Sequence, residues 1–316
     1  MNIYQEKYTS SIKKLIYNTD RLAEIKKGIF RPISLQFAIT DNCNLNCEFC
    51  SNKKREGNEF TFEEIKNILN VFKRLGARSV EFTGGEPTLH PQINEIINYA
   101  KSLDYSIGIK SNGVDIHKRL TYGSMGKLTW LRISLNSLDY VDPDKLVLSY
   151  ISDFTDLGFS YVYTDKSNID ILNVLKEFKD KYKAKYVRVI PDNAYSNKKI
   201  GNLNNSVGNL DIFKEQGFFW QNKNYELPHQ CWMMWLKPFI NTDKNIYYCC
   251  CSQMFEYKFI DKYRLCSTDT NDILKNWLNP KVHFGKEMCK GIKCYFKPQN
   301  DFIAELLKEC EHSDFI

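Results

Sequence analysis

An α/β fold with a parallel sheet bent into an open, partial (βα)6 barrel is the architecture this sequence predicts. Three observations carry it. Six short apolar runs recur between residues 34 and 191, and most are followed by a segment with helical periodicity. That alternation is the pattern of right-handed βαβ crossovers. Six units fall short of the eight that close a full barrel.

The elements follow in order. Residues 1–33 are expected as a helical extension. Ile12, Leu15, Ile16, Leu22 and Ile25 sit at helical spacing over 4–27, and "GIFRP" ends the pattern. The expected strands are 34–40 ("SLQFAIT"), 79–85, 105–113, 130–137, 159–164 and 186–191. Helices are expected at 61–76, 91–103, 142–158 and 168–182, with a short, poorly defined piece near 115–122. The barrel thus spans 34–192. The polar, Asn- and Gly-rich chain that follows makes 193–230 a linker or lid. Residues 231–316 form a second module organised by metal.

Composition narrows the class. The 316 residues are 43% hydrophobic and 14% aromatic, a globular balance. The first residues lack the apolar core of a signal peptide, and no apolar run approaches a membrane span. A cytoplasmic protein without membrane association is therefore expected. Eleven cysteines in a reducing compartment favour metal or redox chemistry over disulfides. A net charge of +6 admits an anionic ligand but argues against nucleic acid as a partner.

Cysteine spacing carries the chemistry. "TDNCNLNCEFCSN" places Cys43, Cys47 and Cys50 just after the first strand, at the end of the sheet where α/β sites lie. Thiolates suit iron–sulfur clusters. Three of them leave one iron of a four-iron cube open, as a catalytic metal needs. Three buried thiols, or a zinc knuckle completed elsewhere, remain the alternatives at this point. After the second strand stands "TGGEPTLHP", whose paired glycines permit close backbone approach.

C-x3-C-x2-C with Phe49 before its third cysteine, followed one βα unit later by GGEP, resembles the radical S-adenosylmethionine (SAM) superfamily. The resemblance covers residue 33 to about 192. It implies that Cys43, Cys47 and Cys50 hold a [4Fe-4S] cluster whose open iron binds SAM. One electron then cleaves SAM to methionine and a 5′-deoxyadenosyl radical. It further implies that Gly84, Gly85 and Glu86 cradle the methionine amine. Ser111, Asn112, Ser134 and Asn136 stand at strand ends that hold SAM in such enzymes. An electron donor of flavodoxin or ferredoxin type is implied as partner.

Cys231, "KPFINTDKNIYYC" and the closing pair Cys289 and Cys294 are similar to the SPASM/twitch extension of these enzymes. Cys231, Cys249, Cys289 and Cys294 are the implied ligands of one auxiliary iron–sulfur cluster, with Cys250 a possible substitute for Cys249. Lys244 stands where the hairpin usually has its turn glycine, and Asn245 is available for the positive φ. Cys250, Cys251, Cys266 and Cys310 are left over, as buried filler or as a hydrogen-atom donor.

A small polar substrate, sugar- or nucleotide-like, is expected, with dehydrogenation assisted by the auxiliary cluster. Peptide maturation, epimerisation and RNA or nucleotide modification are the alternatives. Peptide enzymes usually carry a leader-binding domain ahead of the barrel, and 33 residues precede the first strand here. Lys53, Lys54 and Arg55 are placed to steer a phosphorylated substrate. Trp232 and Trp235 are placed to wall the pocket.

Overall fold

The computed structural model describes residues 3–52, 55–221, 226–251, 261–281, 289 and 294–309. Six strands run parallel in chain order: β1 (Ser34–Thr40), β2 (Ser79–Gly84), β3 (Ser106–Ser111), β4 (Trp130–Ser134), β5 (Asp156–Tyr163) and β6 (Tyr186–Pro191). Phe37 pairs with Phe82, and Ile133 with Phe159. The sheet continues at both edges. β7 (Phe218–Trp220) lies parallel to β6. β8 (Phe239–Ile240) lies parallel to β1, and β9 (Asn245–Tyr247) and β10 (Arg264–Ser267) follow antiparallel.

The strands alternate with a period of two, which gives the sheet two unlike faces. Leu35, Phe37, Val80, Phe82, Leu131, Ile133, Val187 and Val189 are buried on one face. Gln36, Glu81, Lys110, Arg132 and Arg188 interleave with this apolar set along the strands, so they share the other face. Three helices match the expected positions: α4 (Phe62–Arg74), α5 (Ile93–Ser102) and α7 (Ile171–Lys181). α4 opens on a capping box between Thr61 and Glu64 and buries Ile65, Ile68, Leu69 and Phe72.

Four expectations differ from the structure. The N-terminal helix is three short ones, α1 (Ile3–Tyr8), α2 (Ile12–Ile16) and α3 (Thr19–Lys26). The Ser11 side chain accepts from Lys14 N and so starts a new helix where one was expected to continue. The helix expected over 142–158 is absent: Pro143–Lys145 and Ile151–Asp153 are 3-10 turns and β5 begins at Asp156. Leu146, Leu148 and Ile151 are buried while Val147 is exposed, a spacing no α-helix produces.

The stretch 193–230, expected as linker or lid, contains α8 (Asn197–Ser206) and strand β7. Ser196 caps α8, and the Trp220 indole donates to Asn204 Oδ1 at 2.7 Å, tying the helix to the strand. In the β8–β9 hairpin, Lys244 itself takes the positive φ, +63°, and Asn245 does not. The Lys244 ammonium donates to Glu64 at 2.6 Å and to the Glu59 carbonyl at 2.9 Å, which fixes the turn against α4.

The C-terminal segment also docks on the barrel through α9 (Met233–Leu236) and α10 (Thr270–Leu278). Trp277 packs edge-on against Phe72 of α4 at 5.0 Å and against Trp235 at 5.3 Å. Among the described residues no helix is long and apolar enough to cross a membrane. Phe72→Ala removes the ring at the centre of this contact. It is expected to lower the unfolding free energy by about 3–5 kcal/mol in urea denaturation.

Candidate functional site

The three-cysteine loop leaves the carboxyl end of β1 and is clasped by the turn after β2. Gly84 has φ +140°, and a Cβ there would lie 2.1 Å from the Thr40 carbonyl oxygen. A Cβ on Gly85 would lie 2.2 Å from that of Asn42. The turn's amides are used the same way: Gly85 N donates to Thr40 O at 2.8 Å and Glu86 N to Asn42 O at 2.7 Å. The paired glycines therefore let the turn close on the chain's own cysteine loop.

Cys43, Cys47 and Cys50 are half-buried, as is Phe49. Burial, then the charges of Cys50 and Cys43, push the Cys47 thiol up to about 11; burial also raises Cys43. Two donors point at the sulfurs: Asn112 Nδ2 lies 3.8 Å from Cys43 Sγ, and Arg55 Nη2 lies 3.8 Å from Cys50 Sγ. Arg55 also donates to the Leu45 and Asn52 carbonyls. It is thus turned into the loop as its brace. Lys53 and Lys54, expected beside it at the site mouth, lie outside the described residues.

Glu86 is 1% exposed. Its Oε1 accepts from Thr88 N at 3.0 Å, Thr88 Oγ1 at 2.6 Å and Ser111 Oγ at 2.9 Å. Its Oε2 accepts from Asn112 N at 2.6 Å. Burial raises its pKa against the pull of these donors. A carboxylate has about four acceptor directions. These bonds join the β2 turn to the β3 end and bring Glu86, Ser111 and Asn112 together beside Cys43.

Asn136 is fully buried, and its amide bridges β4 to β5. Its Nδ2 donates to Val162 O at 3.0 Å and its Oδ1 accepts from Val162 N at 2.7 Å. Ser134 stands one turn before it and contributes its carbonyl to Ser137 Oγ at 3.0 Å. Asp139 is the residue the sequence reading missed here. It accepts from Asn136 and from the Tyr161 hydroxyl, and burial raises its pKa. Its charge reaches Cys47. The signal was the acid three residues beyond Asn136.

The second set gathers at the other end of β1. Ile33 N donates to Leu236 O and Gln36 N to Pro238 O, so the chain before β8 runs beside the start of β1. Cys231 is raised well above the usual thiol range by burial and then by Cys249, Cys289 and Cys294, which makes the four thiols neighbours. Burial pushes Cys289 and Cys294 up to about 12. Asn300, another residue not foreseen, is buried. It accepts from Trp232 N and Met233 N, and its Nδ2 lies 3.8 Å from Cys231 Sγ. Phe296 N donates to Cys294 Sγ at 3.4 Å.

Among the described residues no group of three or more His, Cys, Asp or Glu side chains is gathered to hold a single metal ion. The thiols of each set share a neighbourhood, and N–H groups are aimed at sulfur in both; that donor chemistry fits an iron–sulfur cluster. Of the remaining cysteines, Cys251 and Cys266 are buried, and Cys310 lies outside the described residues. Trp232 is buried, and Trp235 packs on Trp277; neither lines the interior cavity.

That cavity measures about 770 Å³ and is lined by Gln36, Glu81, Lys110 and Arg132 of the barrel strands. Lys237, Cys250 and Phe296 wall it from the C-terminal segment, and Lys14 from α2. Glu81 sits between Lys110 at 2.9 Å and Lys237 at 2.5 Å. Burial works against its charge, yet the two ammonium groups hold its pKa well below the carboxylate range. Cys250 takes a hydrogen bond from Cys251 and faces Lys110 and Lys237, which hold its pKa below the usual thiol range.

Residues 37–157 match the model of the Radical SAM superfamily. A GTP 3′,8-cyclase of Aquifex aeolicus (strain VF5) is 34% identical over 126 residues, 37% of this chain and 39% of that protein. A GTP 3′,8-cyclase of Staphylococcus haemolyticus (strain JCSC1435) is 31% identical over 130 residues, 37% of this chain and 38% of that protein. The chain thus spans less than two fifths of the length of these curated relatives. Streptococcus suis SuiB bound to S-adenosylmethionine is similar in structure: TM-score 0.65, 19% identity, 90% of this chain and 75% of that one. Native anSMEcpe with bound AdoMet gives a TM-score of 0.55 at 15% identity, over 84% of each chain. These two likenesses carry the fold.

Two sets of thiols predict two four-iron clusters. Anaerobically reconstituted protein is expected to hold about eight irons, and the Cys43→Ala/Cys47→Ala/Cys50→Ala variant about half of them. Iron analysis checks both; zinc at the second set, or no iron at all in the triple variant, contradicts the assignment.

Proposed function

We propose that this chain, whose residues 37–157 match the model of the Radical SAM superfamily, oxidises a small polar substrate held inside the barrel. The observation that carries this reading is the cavity. It lies on the inner, charged face of the barrel and is walled by Lys237, Cys250 and Phe296, chain neighbours of the second cysteine set. Its volume suits a small molecule.

Bound at Cys43, Cys47 and Cys50, an iron–sulfur cluster with SAM supplies one-electron chemistry that generates a radical able to take hydrogen from a C–H bond. In this reading Asn112 and Arg55 direct N–H groups at its thiolates. Glu86 accepts the SAM ammonium at Oε2, which takes one protein donor against three at Oε1, with Gly84 and Gly85 setting the turn. Ser111, Asn112 and Ser134 hold the remainder of SAM, with Phe49 beside it. Cys231, Cys249, Cys289 and Cys294 would hold an auxiliary cluster, which would supply an acceptor for the second electron as the substrate's proton leaves to a nearby base. A flavodoxin- or ferredoxin-type protein supplies the reducing electron.

A second reading is epimerisation, and one observation favours it: Cys250 lines the cavity, where its thiol can return a hydrogen atom. The relatives' name concerns GTP, a nucleotide, and supports the small-molecule class over the segment they share. SuiB has been solved with a precursor peptide, which keeps peptide maturation as a further alternative.

Glu86→Ala is expected to weaken SAM binding at least about tenfold, since a charge-assisted hydrogen bond contributes roughly 1.5–3 kcal/mol. Equilibrium dialysis with cluster-loaded protein reads this, and unchanged affinity removes Glu86 from the site. The two reaction types separate in deuterated water. Oxidation gives a product two electrons poorer and one 5′-deoxyadenosine per turnover. An isomer carrying one solvent deuteron, lost in Cys250→Ala, establishes epimerisation instead.

A further inference from the structure

The residues that line the cavity carry an excess of cations. Lys7, Lys14, Lys110, Arg132, Arg188 and Lys237 line it against two carboxylates, Glu81 and Asp156. Glu81 is already shared between Lys110 and Lys237. A thiolate at Cys250 would add one negative charge and still leave the cations in excess. Arg132 is oriented by its neighbours: its Nε donates to the Tyr186 hydroxyl at 2.7 Å, its Nη2 to the Tyr8 carbonyl at 2.8 Å, and its plane lies over the Trp130 and Tyr186 rings.

Lys14 is the clearest case. Among the described residues its ammonium makes no ion pair and no hydrogen bond. Crowding by surrounding atoms, and then the neighbouring Lys237 ammonium, hold its pKa down to about 8. Lys14 is itself exposed at the cavity wall beside Lys237; like charges brought this close repel, and the arrangement persists more easily when an anion enters. Among the described residues two acceptors also lack partners there: the buried Oε1 atoms of Gln221 and Gln299, both from residues that line the cavity. A purely inorganic anion leaves them unsatisfied, whereas hydroxyl or amino groups on the rest of a ligand can donate to them.

We propose that the barrel cavity binds a phosphorylated small molecule, with its phosphate or diphosphate on Lys14, Lys110, Arg132 and Lys237. The inference rests on the reading that the cavity takes the substrate, and it names the substrate's class. The excess of cations suits a multiply charged phosphate better than a single carboxylate. Phosphate recognition thereby moves from the cysteine loop, where Arg55 is engaged internally, to the interior of the barrel.

Inorganic pyrophosphate is the probe, titrated calorimetrically into the reconstituted full chain at about 150 mM salt, where exposed charges are screened. Saturable one-site binding is expected. Lys14→Gln should weaken it at least about tenfold, and Lys14→Arg should restore it to within about threefold. Lys13→Gln removes the same charge from the same helix, at a residue that does not line the cavity, and should leave affinity within about twofold. Thermal melts confirm that each variant folds. No saturable binding by the wild type, or equal loss in Lys13→Gln and Lys14→Gln, overturns the proposal. Pyrophosphate binding needs neither SAM nor turnover. A chain that binds it but never cleaves SAM keeps this inference and loses the proposed function; a chain that cleaves SAM but binds no pyrophosphate does the reverse.

Discussion

A largely buried carboxylate on β2 ties together several parts of this molecule. Glu81 would be costly inside a barrel by itself, because an uncompensated interior charge loses its hydration. It is compensated from two directions, by Lys110 on the next strand and by Lys237 just ahead of β8. The second partner matters for architecture. It requires the segment after residue 231 to run along the start of β1, where Leu236 and Pro238 carbonyls take amides of Ile33 and Gln36. That placement fixes β8 against β1, and with it the hairpin from which Cys249 and Cys250 emerge. One ion-paired carboxylate thus connects the barrel interior, the sheet edge and the position of the second cysteine set.

The barrel was legible because its strands obey a simple alternation. In β1, β2, β4 and β6, apolar residues buried under helices interleave with polar residues of the inner face. Propensity and period agree there. The reading fails where they part. Over 142–158 the buried set Leu146, Leu148 and Ile151 has no helical spacing, but the charged residues that flank it, Asp142, Asp144, Lys145 and Asp153, imitate one. Over 193–230 the polar, Asn-rich composition conceals a helix started by Ser196 and a strand, Phe218–Trp220, whose only local signal is three consecutive aromatics. Pairing with β6 overrides the composition.

Much of the candidate site was legible for a different reason. The thiols and the GGE turn are close in sequence to the strand ends that position them, so local spacing carries the geometry. What spacing cannot carry is long-range pairing. Asn300 meets Cys231 across 69 residues, and Arg132 meets the Tyr8 carbonyl across 124. Asp139 lies near Asn136 in sequence, yet its relation to Cys47 exists only once β4 and β1 share a sheet. The cavity is the extreme case. Its wall combines the first helices, all six barrel strands and the segment after 231, and no single stretch of chain announces it.

The N-terminal helices give this arrangement an evolutionary character. Tyr8, Ser10 and Lys14 form part of the cavity wall, although they belong to a segment that supplies none of the thiols. Arg132 anchors the backbone of that segment through the Tyr8 carbonyl, a contact indifferent to the side chain at position 8. The floor of the chamber is therefore exchangeable. The cavity-facing Lys7, Ser10 and Lys14 can change in size and charge while the backbone clasp, the buried Leu15 and the Tyr8–Tyr186 stack persist and the cysteine loops are untouched. A lineage of such proteins can explore new ligands by rewriting a few residues of this one segment, leaving both cysteine sets as they are while selectivity drifts.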